Sequence, residues 1–220
     1  GNPSASINMV RKRAHSKVFT GSASASVGSW NHHRGTVGLS MPLTQDGRIR
    51  ARVAGMAEER DSHVDLYHVR KQVFYGVIDA DLTPDTTLSV GADYQSNRPT
   101  GSTWGGLPLV FTNGMPADWS TSKTTAANWT RWNSTNKNIF ANLQHRFGTD
   151  WKLKANFVHR DSAYDAKLLY LMRQPDITTG LGMAALPNYS EYSFQQNSAD
   201  LQVTGGWGLG RRRHAAVVGL

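Results

Sequence analysis

The chain has 220 residues, with 24 Lys+Arg against 16 Asp+Glu for a formal net charge of +8, 39% hydrophobic residues, 21 Gly and no Cys. No apolar stretch approaches the roughly 18–20 residues that a spanning helix needs, which excludes a helical membrane protein. The lack of Cys excludes a disulfide scaffold, a thiolate metal site and a cysteine nucleophile, while the Gly, Ser and aromatic content points to β structure.

The chain opens Gly1-Asn2-Pro3, without Met or an apolar leader, and stops at Leu220 inside an apolar run. Both ends read as cut, so the expectation is an internal piece of a longer protein. Between them the hydrophobic period is two. From Phe19 to Val27 the odd positions carry Phe, Gly, Ala, Ala and Val against Thr20, Ser22, Ser24 and Ser26. Val37, Leu39 and Met41 then face away from Arg34, Thr36 and Ser40. Ile49, Ala51, Val53 and Ala57 oppose Arg50, Arg52 and Glu58, and Phe74, Ile78, Ala80 and Leu82 oppose Asp79 and Asp81. Leu88, Val90, Ala92 and Tyr94 alternate with Ser89, Asp93 and Gln95; Ile139, Ala141 and Leu143 with Asn142 and Gln144. Trp151, Leu153, Ala155 and Phe157 oppose Lys152, Lys154 and Asn156, and Ala199, Leu201, Val203 and Trp207 oppose Asp200, Gln202 and Thr204. A ninth run begins at His214.

Each run is roughly 8–11 residues, the length of a tilted strand crossing a bilayer. Soluble sandwiches alternate too, so the connections must decide. Those at 42–47, 83–86, 148–150 and 208–211 are short and rich in turn formers. The predicted alternates, Glu59–Lys71, Ser96–Lys137 and Asp161–Tyr192, are long, with Asn31-His32-His33 as the exception. Short turns on one rim and long loops on the other mark a transmembrane β-barrel. Its apolar faces would meet lipid, its polar faces a wet interior. Trp30, Tyr94, Trp151 and Trp207 fall near strand ends, where aromatic girdles belong. Nine strands do not close a single-chain bacterial barrel, and an open edge in lipid is costly, so the count also says fragment.

Several stretches are more specific. Gly1-Asn2-Pro3-Ser4-Ala5-Ser6-Ile7-Asn8-Met9-Val10-Arg11-Lys12-Arg13 resembles the final plug strand of the TonB-dependent siderophore receptors. Gly28-Ser29-Trp30, Pro42-Leu43, Asp46-Gly47-Arg48-Ile49-Arg50, Asp81-Leu82-Thr83-Pro84, Thr103-Trp104-Gly105-Gly106-Leu107-Pro108, Asn128-Trp129-Thr130-Arg131-Trp132-Asn133 and Leu143-Gln144-His145-Arg146-Phe147 continue it in order. The resemblance is nearest to the ferripyoverdine receptor branch. It implies an all-β fold: about nine antiparallel strands of a 22-stranded outer-membrane barrel, preceded by the last plug strand. Residues 1–13 would end the plug and 14–220 begin the barrel. It implies a Gram-negative outer-membrane receptor for TonB-dependent uptake of a ferric siderophore, hydroxamate or pyoverdine-like. The partners would be that ligand, outer-membrane lipid and the TonB-ExbB-ExbD complex, the last through an N-terminal part with a TonB box that this stretch lacks. The alternatives are a passive porin-like barrel and a non-functional truncated receptor.

The resemblance carries siderophore contact to Trp104 and Trp129, and the spacing leaves open whether Trp129 or Trp132 is the matching residue. Aromatic side chains offer a ligand rigid contact area, though a long loop also needs aromatics to hold itself together. No cofactor is implied, since iron travels on the siderophore. His32, His33, His63 and His68 make no convincing metal site, because neighbouring strand residues point opposite ways. No nucleophile elbow, zinc-protease motif or phosphate loop appears, so no enzyme is expected. The basic residues are spread along alternating faces. Arg11-Lys12-Arg13 and Arg211-Arg212-Arg213 read as solvated charges, and no nucleic-acid partner is expected.

Overall fold

The computed structural model describes residues 10–220, so most of the expected plug strand, residues 1–9, lies outside the described residues. Nine strands form one sheet in strict chain order, each antiparallel to the next. They are β1 (Thr20–Gly28), β2 (His32–Pro42), β3 (Ile49–Asp61), β4 (His68–Thr83), β5 (Thr86–Thr100), β6 (Arg131–Phe147), β7 (Trp151–Met172), β8 (Ala184–Leu209) and β9 (Arg212–Gly219). This up-and-down order needs only local connections, and the turn-forming segments supply them.

The register puts the predicted apolar residues on one face. Val53 lies opposite Gly76, and Ala51 opposite Ile78. Val90 faces Ile78 and Ala141, and Phe157 faces Ala141 and Ala199. Val53, Ile78, Val90, Ile139 and Phe157 are all exposed there. The other face is a hydrogen-bonded polar wall. Asn142 Nδ2 donates to Asn156 Oδ1 (2.6 Å), and Asn156 Nδ2 to Asp200 Oδ2 (2.6 Å). Two rows away, Asn138 Nδ2 donates to Asp93 Oδ1 (2.8 Å) and Asn138 Oδ1 accepts from Arg160 Nε (3.1 Å). The small core sits on this inner face, where Ala14, Val77 and Phe140 meet beside Tyr75 and Val158.

Aromatic residues bound the apolar face. Phe74 packs on Tyr94 (6.3 Å between centroids) towards the long-loop rim. At the other rim Trp151 stacks on Trp207 (6.3 Å) and Trp207 on His214 (5.5 Å). Gly205 lies directly under Trp151, and any side chain there would collide with the indole. Lys137, the partner of Tyr94, and Phe147, the partner of Trp151, are ten residues apart on β6. At about 3.3 Å per residue and a tilt near 40°, this separation is about 25 Å, the height of an outer-membrane apolar band. Trp30 departs from the girdle expectation. It sits at the β1–β2 tip with φ 62°, its ring edge-on to His63 at 6.2 Å.

The short turns lie where expected, at 43–48, 84–85, 148–150 and 210–211. The long connections are shorter than expected: 62–67, 101–130 and 173–183, with 29–31 as the tight one. The largest correction concerns Asp161–Tyr192, predicted as loop. Most of it is strand, paired without a break to Met172 opposite Ala184. Beyond the apolar band both faces are wet, so the hydrophobic alternation lapses while the main-chain ladder continues. The segment before β1, residues 10–19, is irregular, and its Arg13 and Ala14 lie against Asp79 on the inner face; its described plug-end residues, 10–13, carry no strand. Arg13 is not a solvated charge either, since its side chain is 16% exposed and pairs with Asp79.

The outer face and the unpaired edges set two expectations. Val90 lies midway between the aromatic rows, so Val90→Arg in the whole barrel should lower its unfolding free energy in lipid by about 2–4 kcal/mol. Ser198→Arg on the inner face should cost under about 1 kcal/mol. Denaturant titration in vesicles measures both. The 220-residue chain alone should fail to remain monomeric in detergent-free buffer, as size-exclusion chromatography with light scattering would show.

Candidate functional site

The long-loop rim is organised by residues 101–130. The loop closes on itself through Gly101 N–H to Thr130 O (2.9 Å). It reaches the 62–67 connection, where Asp65 N–H donates to Ser122 O (2.8 Å), and the 173–183 connection, where Thr112 N–H donates to Pro175 O (3.0 Å). The loop therefore bridges β3–β4 and β7–β8 across the rim. Trp119 holds it together. Its Nε1 donates to Pro108 O (2.8 Å) and its ring packs on Phe111 at 5.8 Å.

The three expected ligand residues have different surroundings. Trp104 sits edge-on to Tyr170 of β7 at 5.9 Å and is 41% exposed. The next residue must be small, because a Cβ on Gly105 would lie 2.6 Å from Tyr170 Cδ2. Thr125 Oγ1 donates to Gly105 O (2.7 Å) and fixes the same turn. Trp132, on β6 opposite Ala166, is also partly exposed. It lines an inner-face cleft of about 340 Å³ with Tyr67, Asn97, Ser102, Thr103 and Tyr164. Trp129 is exposed in the loop and lies outside this cleft. The structure thus brings Trp132 into a walled site, puts Trp104 beside its rim, next to Thr103, and leaves Trp129 apart.

Two features of the cleft were missed in the sequence. The first is aromatic. Tyr164 stacks near Phe194 (6.4 Å) and Tyr192 (6.5 Å), and Tyr192 near Phe194 (5.8 Å), so aromatic surface continues along β7 and β8. A period of two through Tyr192, Phe194 and Gln196 was the available signal. The second is polar. Asn97 Oδ1 and Ser102 Oγ are buried and have no hydrogen-bond partner among the described residues. Buried polar atoms are rarely left unpaired, and these two line a cleft. Next to Trp132 on β6, outside the cleft, Arg131 is held by Asp165, with Arg131 Nη2 at 3.1 Å from Asp165 Oδ2. Aromatic faces beside unsatisfied polar groups suit a ligand with a flat ring system and a hydrogen-bonding edge. Among the described residues no three His, Cys, Asp or Glu gather as a metal site. His68 Nδ1 instead pairs with Asp61 (2.7 Å).

The 173–183 loop beside the site is fastened by one carboxylate. Asp176 Oδ1 accepts from the amides of Thr178 (3.0 Å) and Thr179 (2.8 Å) and from Thr179 Oγ1 (3.0 Å). These bonds, led by the Thr179 amide, hold its carboxyl below the ordinary 3.8.

No protein-family model matches the chain. It is 34% identical to the ferripyoverdine receptor of Pseudomonas aeruginosa, over all of this chain and 27% of that protein. It is 30% identical to the ferric-pyoverdine 358 receptor of Pseudomonas putida, again over all of this chain and 27% of that one. The chain therefore spans about a quarter of the length of the curated relatives it matches. The crystal structure of the Pseudomonas aeruginosa outer-membrane ferripyoverdine receptor bound to ferripyoverdine superposes with a TM-score of 0.85, covering 95% of this chain and 28% of that one at 34% identity. The ferric-catecholate import receptor Fiu of E. coli shares the fold, with a TM-score of 0.84 over 99% of this chain and 33% of that one, at 17% identity. The nine-stranded open sheet matches fragments of TonB-dependent receptor barrels. The homologues are transport receptors of the outer membrane, not enzymes.

A carboxylate with a lowered pKa contributes its loop contacts above its unfolded value and loses them as it protonates. Amide-exchange protection at Thr178 and Thr179 should therefore hold from pH 7 to 5 and fall below about pH 4, after correction for intrinsic exchange. Asp176→Ala should remove that protection at every pH.

Proposed function

We propose that this chain, whose homologues are ferripyoverdine receptors and which fits as a fragment of a TonB-dependent receptor, is the opening barrel segment of an outer-membrane importer for a ferric siderophore. The ligand is hydroxamate or pyoverdine-like. Energy comes from the TonB-ExbB-ExbD complex, acting through the part of the receptor before this stretch, and the outer face of the sheet meets outer-membrane lipid. Residues 1–13 end the plug and 14–220 begin the barrel.

The observation that carries this reading is the cleft of Trp132, Tyr164, Asn97 and Ser102 on the inner wall, within a sheet whose apolar face points outward. A siderophore complex offers both kinds of surface that the cleft lacks: rings for the aromatic side chains, and donors and acceptors for the unpaired Asn97 Oδ1 and Ser102 Oγ. Trp132 and Tyr164 serve as the wall of the site. Trp104 serves from its rim, held in place by Tyr170. Trp129 serves as an outer contact, further from the wall.

Each aromatic contact is worth about 1 kcal/mol beyond the area that it covers. In the whole receptor, Trp132→Ala, Tyr164→Ala and Trp104→Ala should each weaken ferric-siderophore binding about fivefold or more. Trp119→Ala should act by loosening the loop, and so should alter the protease sensitivity of 101–130 as well as binding. Fluorescence-quenching titration with ferric pyoverdine and with a ferric trihydroxamate measures these affinities. Unchanged affinity in both Trp132→Ala and Tyr164→Ala would remove the cleft as the ligand site.

A further inference from the structure

A dense polar cluster lies far from the aromatic cleft, near the short-turn rim, where residues 11–14 cross the inner wall. Asp79 is fully buried. Its carboxylate accepts from Arg13 Nε at 3.2 and 3.0 Å and from the Ala14 amide at 3.0 Å. From the next strand Arg50, 5% exposed, donates through Nε to Ala14 O at 2.8 Å. Its remaining nitrogens reach Gly47 O (2.6 Å) and both oxygens of Asp81 (2.5 and 2.9 Å). Both main-chain polar groups of Ala14 are thus bonded to buried ionised side chains from β3 and β4. Tyr75 Oη donates to Lys12 O (2.5 Å), and the Arg11 guanidinium lies 4.5 Å from the centre of the Phe140 ring. The methyl of Ala14 is fully buried against Val77 and Phe140.

Four consecutive residues are therefore held on β3, β4 and β6 by ion pairs, main-chain bonds and packing together. Removing one partner of such a pair leaves the other charge buried and unpaired, so detachment is steeply unfavourable. We propose that Arg11–Ala14 is a fixed anchor, which stays on the barrel wall while the receptor binds and passes its ligand. Rearrangement that opens a path through the barrel stops short of this segment. The inference rests on reading the chain as part of a plugged importer. Within that reading it assigns a mechanical role to residues that contact no ligand.

A cross-link provides the test. This chain has no cysteine, so Ala14→Cys with Val77→Cys in the whole receptor places the only two thiols of this segment at a buried contact. Siderophore binding confirms that the variant is folded, and thiol labelling gives the cross-linked fraction. Uptake of iron-labelled siderophore by cells should then be the same, within about twofold, in the oxidised and reduced receptor. Uptake abolished by oxidation and restored by reductant would overturn the anchor. A native receptor that takes up no siderophore would overturn the functional reading instead. If the cysteine pair fails to fold, amide exchange in the native receptor and in Asp79→Asn decides. The Ala14 amide should exchange at least tenfold faster in the variant, and at an unchanged, slow rate in the native receptor with or without ferric siderophore. Faster exchange at Ala14 on ligand binding would count against a fixed anchor.

Discussion

A backbone that crosses lipid can satisfy its amide and carbonyl groups only against another strand. Everything else in this structure follows from that constraint. The eight strand pairings are antiparallel and join consecutive strands, so every connection is local. Because side chains alternate along each strand, the same ladder sorts the residues into an apolar outward set and a polar inward set. Val53, Val90 and Phe157 project outward without partners above them, and Asn138, Asn142 and Asn156 project inward into bonds with Asp93, Asp200 and one another. A slip of one residue anywhere would exchange these faces and set asparagine against lipid.

The ladder outlasts the membrane. Strands β7 and β8 remain paired to Met172 and Ala184, well past the last row of apolar alternation. Above the band the pairing positions aromatic side chains. The stems carry Tyr164, Tyr170, Tyr192 and Phe194, and loop 101–130 folds back between them and the 62–67 connection. Rigid strands thus place the aromatic side chains, and the loop brings Ser102, Thr103 and Trp104 to meet them. The division between Trp119, which fastens the loop, and Trp132, which faces the cleft, comes from this arrangement. Both are tryptophans in the same stretch of sequence, and only one has its indole N–H committed to the loop's own backbone.

The inner wall serves two different purposes at its two ends. Near the long-loop rim Asn97 Oδ1 and Ser102 Oγ have no hydrogen-bond partner among the described residues. Near the short-turn rim Asp79 and Arg50 are matched to Arg13 and to both main-chain groups of Ala14, and Asp81 is matched to Arg50.

The sequence by itself determined the strands, their order, their apolar side and the two kinds of rim. Those properties depend on the period of two and on turn residues, both local and both visible along the chain. It also carried the resemblance that the relatives bear out, and it marked Trp104, Trp129 and Trp132 as the aromatics to examine. Only the tertiary structure decided the lengths of β7 and β8, because pairing continues where hydrophobic alternation stops and alternation is what sequence reading detects. Only it separated Trp132 from Trp129, three positions apart, since Trp132 stands on β6 and lines the inner-face cleft while Trp129 is exposed in the loop. It alone took Arg13 out of the run of surface charge, because Asp79 and Arg50 stand tens of residues away and meet Arg13 and Ala14 only across the folded sheet.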